Sequence, residues 1–406
     1  MSVLGNGAVV TGGFDTAIIE WNLATGVARR VLRFHGSSVN ALVGNGADCF
    51  VSGGEDGRIA LWCAGTDPVA TYAGNTGPVA ALAVSADGAR LASAGWDGKV
   101  RLWVIAPNSR SPSTAVSNGV VVAEHAAPVT GVAFAPDGQT IFTASHDGEV
   151  RRSEVAGVLG GEVRMLHRRQ LPTAINGLVA FGDGRIALAA ADGQLRVLDG
   201  DLSMSFTVAL DDGPTTTLAL TPDGRQIGVA GARAPVKLID LETRRVLRAI
   251  TAPGLPTWAL AFTHDGRELL TGGADRALRR WNVATGTIVG EMAAPSGDPS
   301  EGRTPEEGAR VFRACIACHT TRAGDGHWAG PTLHGIMGRR IATAAGYEYS
   351  DALKAMNIVW TPETIAKLFE VGPNAYTPGT KMPEQRISDP ADRRALVEWL
   401  ERVTRP

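Results

Sequence analysis

Several things are scarce in this sequence, and each scarcity excludes a class. No apolar stretch reaches the ~18 residues that a membrane-spanning helix needs, so no transmembrane segment is expected. Charge is sparse and balanced: 39 Lys and Arg face 41 Asp and Glu, giving a net charge of −2 and a pI near 6.5. Such a balance argues against nucleic acid as a partner. Aromatic residues make up only 6% of the chain, and there are just four cysteines. No Ser/His/Asp order, catalytic carboxylate pair or Gly-rich phosphate loop stands out, so no enzyme is expected. The first residues, Met1 to Ala8, have neither the basic start nor the apolar run of an export signal.

What is present points to two domains, since 406 residues with 50 glycines suit a turn-rich repeat followed by something else. Turns recur at Asp15, Asp56, Asp97, Asp147, Asp192, Arg233 and Asp275, spaced 41, 41, 50, 45, 41 and 42 residues apart. Around them the pattern alternates as strands do, for example Val79–Val84, Leu91–Gly95 and Val100–Trp103. Asp-Gly between such strands is tight-hairpin chemistry, and Asp87-Gly88, Asp137-Gly138 and Asp223-Gly224 punctuate the preceding connections.

Trp21, Trp62, Trp103 and Trp281 each lie six residues after their turn aspartate. With the period, this resembles WD40 repeats, and seven units imply a seven-bladed all-β propeller over residues 1–294. The pattern decays in the middle, where Ser153, Leu198 and Ile239 replace the tryptophan and Arg233 the aspartate. The step of 50 carries the Pro/Ser-rich insertion Ile105–Ser113, expected to be a protruding loop, with a partner contact as the alternative reading.

Leu4–Ala8 parallels Val43–Ala47, so Met1 falls partway along the first inner strand. An inner edge left short leaves backbone groups unsatisfied. We therefore expect Met1 to be an internal methionine, with an export signal and the rest of that strand upstream. Cys49 and Cys63 are each seven residues from Asp56 and face each other if the hairpin is centred there. A disulfide and two buried thiols are both open readings. The propeller histidines are expected to form no site. His35 and His125 fall where such repeats place a structural histidine, and His146, His167 and His264 have no carboxylate or cysteine companions at ligand spacing.

Residues 295–303 read as a polar Pro/Gly/Ser linker. Thr304-Pro305-Glu306-Glu307 then opens a helix with a capping box, its inner face carrying Gly308, Val311 and Phe312. Ser350, Thr361 and Asp389 open three more, the last with Leu396, Trp399 and Leu400 at helical spacing. The first helix runs into Cys315-Ile316-Ala317-Cys318-His319. Cys-x-x-Cys-His is the attachment signature of c-type haem, two thiols on one turn adding to one porphyrin and the imidazole lying beneath the iron. The competing readings are a redox Cys-x-x-Cys, which wants a strand–helix setting, and half a zinc site, which wants a second ligand pair.

Downstream follow Gly330-Pro331-Thr332-Leu333-His334-Gly335, Met337-Gly338-Arg339, Gly346-Tyr347-Glu348-Tyr349, Val359-Trp360 and Pro378-Gly379-Thr380-Lys381-Met382. In this order residues 304–406 resemble the soluble class I cytochromes c. The resemblance implies a small all-α domain wrapped on one covalently attached haem c, whose porphyrin supplies much of the core. It implies attachment through Cys315 and Cys318, and iron ligation by His319 and Met382. It implies a Pro331 carbonyl that orients the His319 ring, and hydrogen bonds to the buried propionates from Arg339, Tyr349 and Trp360. Met337 and Met356 are the rival thioethers and are read as packing residues; His327 and His334 are read as turn or surface residues. Phe369 stands where many relatives carry a tyrosine near the methionine sulfur, which departs from the family's tuning of potential.

His/Met ligation suits electron transfer between redox partner proteins. Attachment of haem c after export implies a periplasmic location. Residues 301–406 hold 14 basic groups, only three of them lysine, and 13 acidic ones. Strong electrostatic steering is therefore not evident, and a protein partner docked on the propeller is the other source of specificity. The alternative is a regulatory or scaffold protein that carries haem and binds a partner through its propeller. A weaker third reading, an enzyme site on the propeller face, lacks the residues for it.

Overall fold

The computed structural model describes the chain except residues 106–118, 156–162, 211–212, 232–234, 252–255, 274–276, 294–306, 313–314, 316–317, 328–329, 383–386, 388–389 and 406. The Ile105–Ser113 insertion, the turns at Arg233 and Asp275, the linker and the Thr304 capping box therefore lie largely or wholly outside the described residues. The chain divides into two compact units, Met1–Ala294 and Pro295–Pro406.

Unit 1 is a seven-bladed β-propeller. Among its described residues 28 strands form seven four-stranded antiparallel sheets, each built from strands consecutive in the chain. Blade 1 covers residues 2–33, blade 2 39–72, blade 3 79–124, blade 4 129–170, blade 5 175–209, blade 6 215–250 and blade 7 257–293. The first strand of blade 1 holds only Ser2–Val3, paired as Ser2↔Val10 and Val3↔Val9. Apolar residues from neighbouring blades interlock between the sheets; Val9, Ile19 and Trp21 of blade 1, for instance, share a cluster with Leu270, Leu278 and Met292 of blade 7. The same seam is tied by His264 Nε2 to the Leu4 carbonyl at 2.9 Å and by Arg280 Nη1 to that of Leu23 at 2.7 Å.

The hairpin turns explain why the repeat keeps its residues. In blade 2, Asp56 Oδ1 accepts from the Arg58 N–H at 3.1 Å and Oδ2 from the Gly36 N–H at 2.8 Å. Gly57 follows at φ +75°, and a Cβ there would also meet the Asn75 carbonyl at 2.9 Å, so only glycine fits. Trp62 Nε1 donates to Ser52 Oγ at 2.8 Å, the same hydroxyl meets His35 Nε2 at 2.8 Å, and His35 Nδ1 meets Asp56 Oδ1 at 3.1 Å. Trp21, Trp103 and Trp281 make the corresponding indole bonds to Thr11, Ser93 and Thr271. Where the histidine is lost, a buried guanidinium replaces it: Arg101 reaches Asp97 at 2.8 Å and Arg196 reaches Asp192 at 2.9 Å. Ser153, Leu198 and Ile239, which replace tryptophans, are themselves buried.

The register Phe50↔Trp62 centres the blade 2 hairpin on Asp56. Cys49 and Cys63 consequently face one another, with Cα atoms 4.2 Å apart, and are disulfide-bonded. This settles the open choice in favour of the bond.

In unit 2 the described residues hold five helices: α1 (Glu307–Phe312), α2 (Asp351–Lys354), α3 (Pro362–Val371), α4 (Pro373–Tyr376) and α5 (Pro390–Val403). Ser350 caps α2, and Thr361 caps α3 through a reciprocal pair with Thr364. The single turn α4 is one more than the helical spacing predicts; it follows directly on the Gly372 that ends α3. An isolated bridge, Arg340↔Val359, is the only strand-like pairing among the described residues of this unit.

Candidate haem site

The site is assembled on the packing of the first helix against the last. Gly308 of α1 touches α5 so closely that a Cβ would meet the Ala395 carbonyl at 2.2 Å and Trp399 Cβ at 2.3 Å. One turn on, the Phe312 and Trp399 rings pack at a 35° tilt with centroids 4.6 Å apart. The chain leaves α1 by continuing its hydrogen bonding: the Cys315 N–H reaches the Phe312 carbonyl at 2.7 Å, and the N–H groups of Cys318 and His319 both reach that of Cys315 at 3.0 Å. Two thiols and an imidazole are thereby carried on one turn beside the core.

Cys315 is buried in the unit's apolar cluster, against which Trp360, Met337 and Met382 also pack. Burial, and secondarily the neighbouring Cys318, push the Cys315 thiol up to about 12. Burial thus favours the thiol over the thiolate that a redox Cys-x-x-Cys uses.

His319 is the most constrained residue of the site. Its Nδ1 lies 2.8 Å from the Pro331 carbonyl. A carbonyl only accepts, so Nδ1 carries the proton and Nε2 keeps a lone pair for a metal. Burial holds the imidazole below its ordinary pKa, against the opposing pull of Pro331, and a neutral ring is the ligand form. Gly330 lies against the ring: a Cβ there would stand 2.3 Å from Cε1 and 2.8 Å from Nε2.

Arg339 holds the loop that carries Pro331. Its Nη1 donates to the His334 carbonyl at 3.0 Å and its Nη2 to that of Thr332 at 2.6 Å. A short ladder then brings Trp360 to Arg339, with the Trp360 N–H on the Arg339 carbonyl at 2.9 Å and the Gly338 N–H on that of Trp360 at 2.8 Å. Tyr349 is half-buried and its phenol is raised by that burial, while the nearby Arg339 charge and the Ala344 backbone pull it down. Ser350 Oγ donates to the Gly379 carbonyl at 3.0 Å, and the Met382 N–H meets Thr380 Oγ1 at 3.1 Å, tying the methionine turn to the start of α2.

Of the rivals, His327 is otherwise engaged. His327 Nε2 meets the Ala345 carbonyl at 2.6 Å and its Nδ1 accepts from the Thr332 N–H at 2.9 Å, which uses both ring nitrogens. Met337 packs against the core cluster as Met382 does, and Met356 lies outside that cluster just beyond α2. Phe369 is buried among the core residues. The two thiols, the Nε2 lone pair, the close approach that Gly330 allows the ring, and a buried Thr321 hydroxyl with no hydrogen-bond partner among the described residues all fit a covalently attached haem.

Comparison with known proteins agrees with both units. The family model described as cytochrome c matches residues 305–404, and the WD domain, G-beta repeat model matches 26–63, 66–104, 119–151 and 245–282. Cytochrome c of Cochliobolus lunatus is 42% identical over 101 residues, covering 25% of this chain and 93% of that protein. That of Arabidopsis thaliana is 42% identical over 101 residues (25% and 89%), and that of Ginkgo biloba 38% over 112 residues (27% and 93%).

Proposed function

Through residues 305–404 the chain belongs to the cytochrome c family, and from that premise we propose that it is a periplasmic single-electron carrier whose WD40 propeller docks a protein partner. Its cofactor is one haem c, attached through Cys315 and Cys318 and wrapped by an all-α domain. When bound, the iron accepts and returns one electron. His319 and Met382 would hold that iron, and such a pair would raise its potential and favour electron transfer over oxygen chemistry.

The chain's own residues do the rest. Pro331 keeps a proton at His319 Nδ1, so that Nε2 faces the metal in one tautomer and one ring orientation. Gly330 lets the ring lie close against the backbone. Arg339, Tyr349 and Trp360 would bind the propionates, and the Arg339 guanidinium carries five N–H donors, more than the two bonds to Thr332 and His334 use. Phe312, Leu333 and Leu368 exclude water from the buried side. No catalytic residue is assigned, and the redox partners are proteins. The Cys49–Cys63 disulfide supports an oxidising compartment.

The observation that carries this reading is the His319–Pro331 bond, because it fixes the ligand nitrogen. An optical titration of full-length protein matured with covalent haem tests it. A low-spin spectrum with the far-red methionine band, blind to carbon monoxide, is expected. A high-spin spectrum or ready carbon monoxide binding takes Met382 off the iron and favours the regulatory reading. In Met382→Ala the covalent haem should remain, the potential fall and carbon monoxide bind.

A further inference from the structure

Blades 2 and 4 are each preceded by a buried histidine, with different outcomes. His35 satisfies both ring nitrogens, on Asp56 and Ser52. His125 satisfies only Nε2, on Thr143 Oγ1 at 2.9 Å. Its Nδ1 has no hydrogen-bond partner among the described residues, although the residue is only 6% exposed. Asp147 Oδ2 and Glu149 Oε2 face that nitrogen at 3.6 and 3.7 Å. These separations are too long for hydrogen bonds. They are close to the ~3.4 Å between two ligands that share one ion at ~2.1 Å in tetrahedral geometry.

Glu149 is what distinguishes this blade. Two residues after the turn aspartate the other blades carry Ala17, Arg58, Lys99, Gln194, Pro235 and Ala277, none of them an anionic ligand. We propose that His125 Nδ1, Asp147 and Glu149 bind a divalent first-row transition metal ion, of which Zn²⁺ is the representative.

The three donor atoms lie within 4.8 Å of one another. Asp147 is held for the task by the Ala126 N–H on Oδ2 at 3.0 Å and the Glu149 N–H on Oδ1 at 2.8 Å. One imidazole and two carboxylates suit zinc better than calcium or magnesium, which prefer all-oxygen shells. A cleft of about 360 Å³, lined by Ala126, Asp147, Glu149, Arg168 and Gln170, opens beside the carboxylates and admits the ion with its water ligands. Two cations oppose it. Arg151 Nη2 donates to Glu149 Oε2 at 2.5 Å, and Arg168 lines the cleft. The ion must therefore share Glu149 with Arg151, so the site is weakened by that arginine and strengthened by its loss.

Holoprotein stripped of metal by chelation and dialysis, then titrated with zinc chloride by calorimetry, tests this beside Glu149→Gln and Arg151→Gln. Wild type should show one saturable site, weakened about tenfold or more in Glu149→Gln and tightened in Arg151→Gln. Identical isotherms for all three proteins would overturn the proposal. Zinc-edge anomalous diffraction from soaked wild-type crystals decides independently of how the variants fold. A peak among His125, Asp147 and Glu149 supports the site, and a peak only elsewhere removes it.

Discussion

Gly330 lies so close to the ring of His319 that a single added methyl would stand 2.3 Å from Cε1. Backbone and imidazole therefore share one fixed spacing, and the Pro331 bond sets the angle of the ring within it. Gly330→Ala should push the ring off the Pro331 carbonyl at a cost of about 1–3 kcal/mol. Haem-stained yield relative to total polypeptide is expected to fall severalfold, and unchanged yield with an unchanged spectrum would contradict the contact.

The packing of α1 on α5 is equally intolerant. Gly308→Val places a branched side chain where the Ala395 carbonyl and Trp399 Cβ already lie. Denaturant unfolding followed by haem absorbance should show this domain destabilised by about 1–3 kcal/mol. The propeller's unfolding, followed by its own transition, should not move.

Cys49 and Cys63 close a loop with a sequence separation of 14. On the chain-entropy argument, breaking such a bond costs about 3 kcal/mol. The double variant Cys49→Ser/Cys63→Ser should unfold at correspondingly lower denaturant. Thiol labelling of unfolded, unreduced wild type should modify neither residue; labelling of both would remove the bond.

Acid should weaken the propeller before base does. Burial raises the Asp56 carboxyl, but His35, the Gly36 N–H and the Arg58 N–H outweigh it and hold its pKa below 3.8. Asp97 and Asp192 are held low as well, with help from Arg101 and Arg196. A depressed folded-state pKa gives stability that is present above the unfolded value and lost as pH falls through the folded one. The propeller's Tm should therefore stay level from neutral pH to about 5 and drop below about 4. Asp56→Asn should lower Tm at neutral pH and flatten that acid drop. An equal slope in both proteins would exclude Asp56 as a contributor.

How much of this was legible in the sequence follows from the range of the interactions. The turn aspartates, their glycines and the tryptophans are local signals, repeated at a fixed period, and seven sheets stand where they point. The disulfide stayed open because a one-residue slip of register would have parted the two thiols, and only the pairing Phe50↔Trp62 fixes the centre. Ser350 and Thr361 announced their helices through capping chemistry, whereas α4 is a single turn, too short for any period to show. The Arg339–Trp360 ladder left no mark, since backbone pairing has no residue signature. From the sequence alone His125 reads as structural, like His35. The sign that separates them is Glu149, one residue whose meaning depends on a histidine 24 positions earlier.

The seam between blades 1 and 7 has a consequence for time rather than for strength. His264 meets the Leu4 carbonyl across 260 residues, and Arg280 meets that of Leu23 across 257. Neither contact can begin before the last blade has emerged from synthesis. Loop closure on that scale is slow, so blade 1 waits half-made with a bare flank while six others are threaded. The ring is thus a late event in the life of each molecule, and any chaperone serving this protein has to guard its first strands longest.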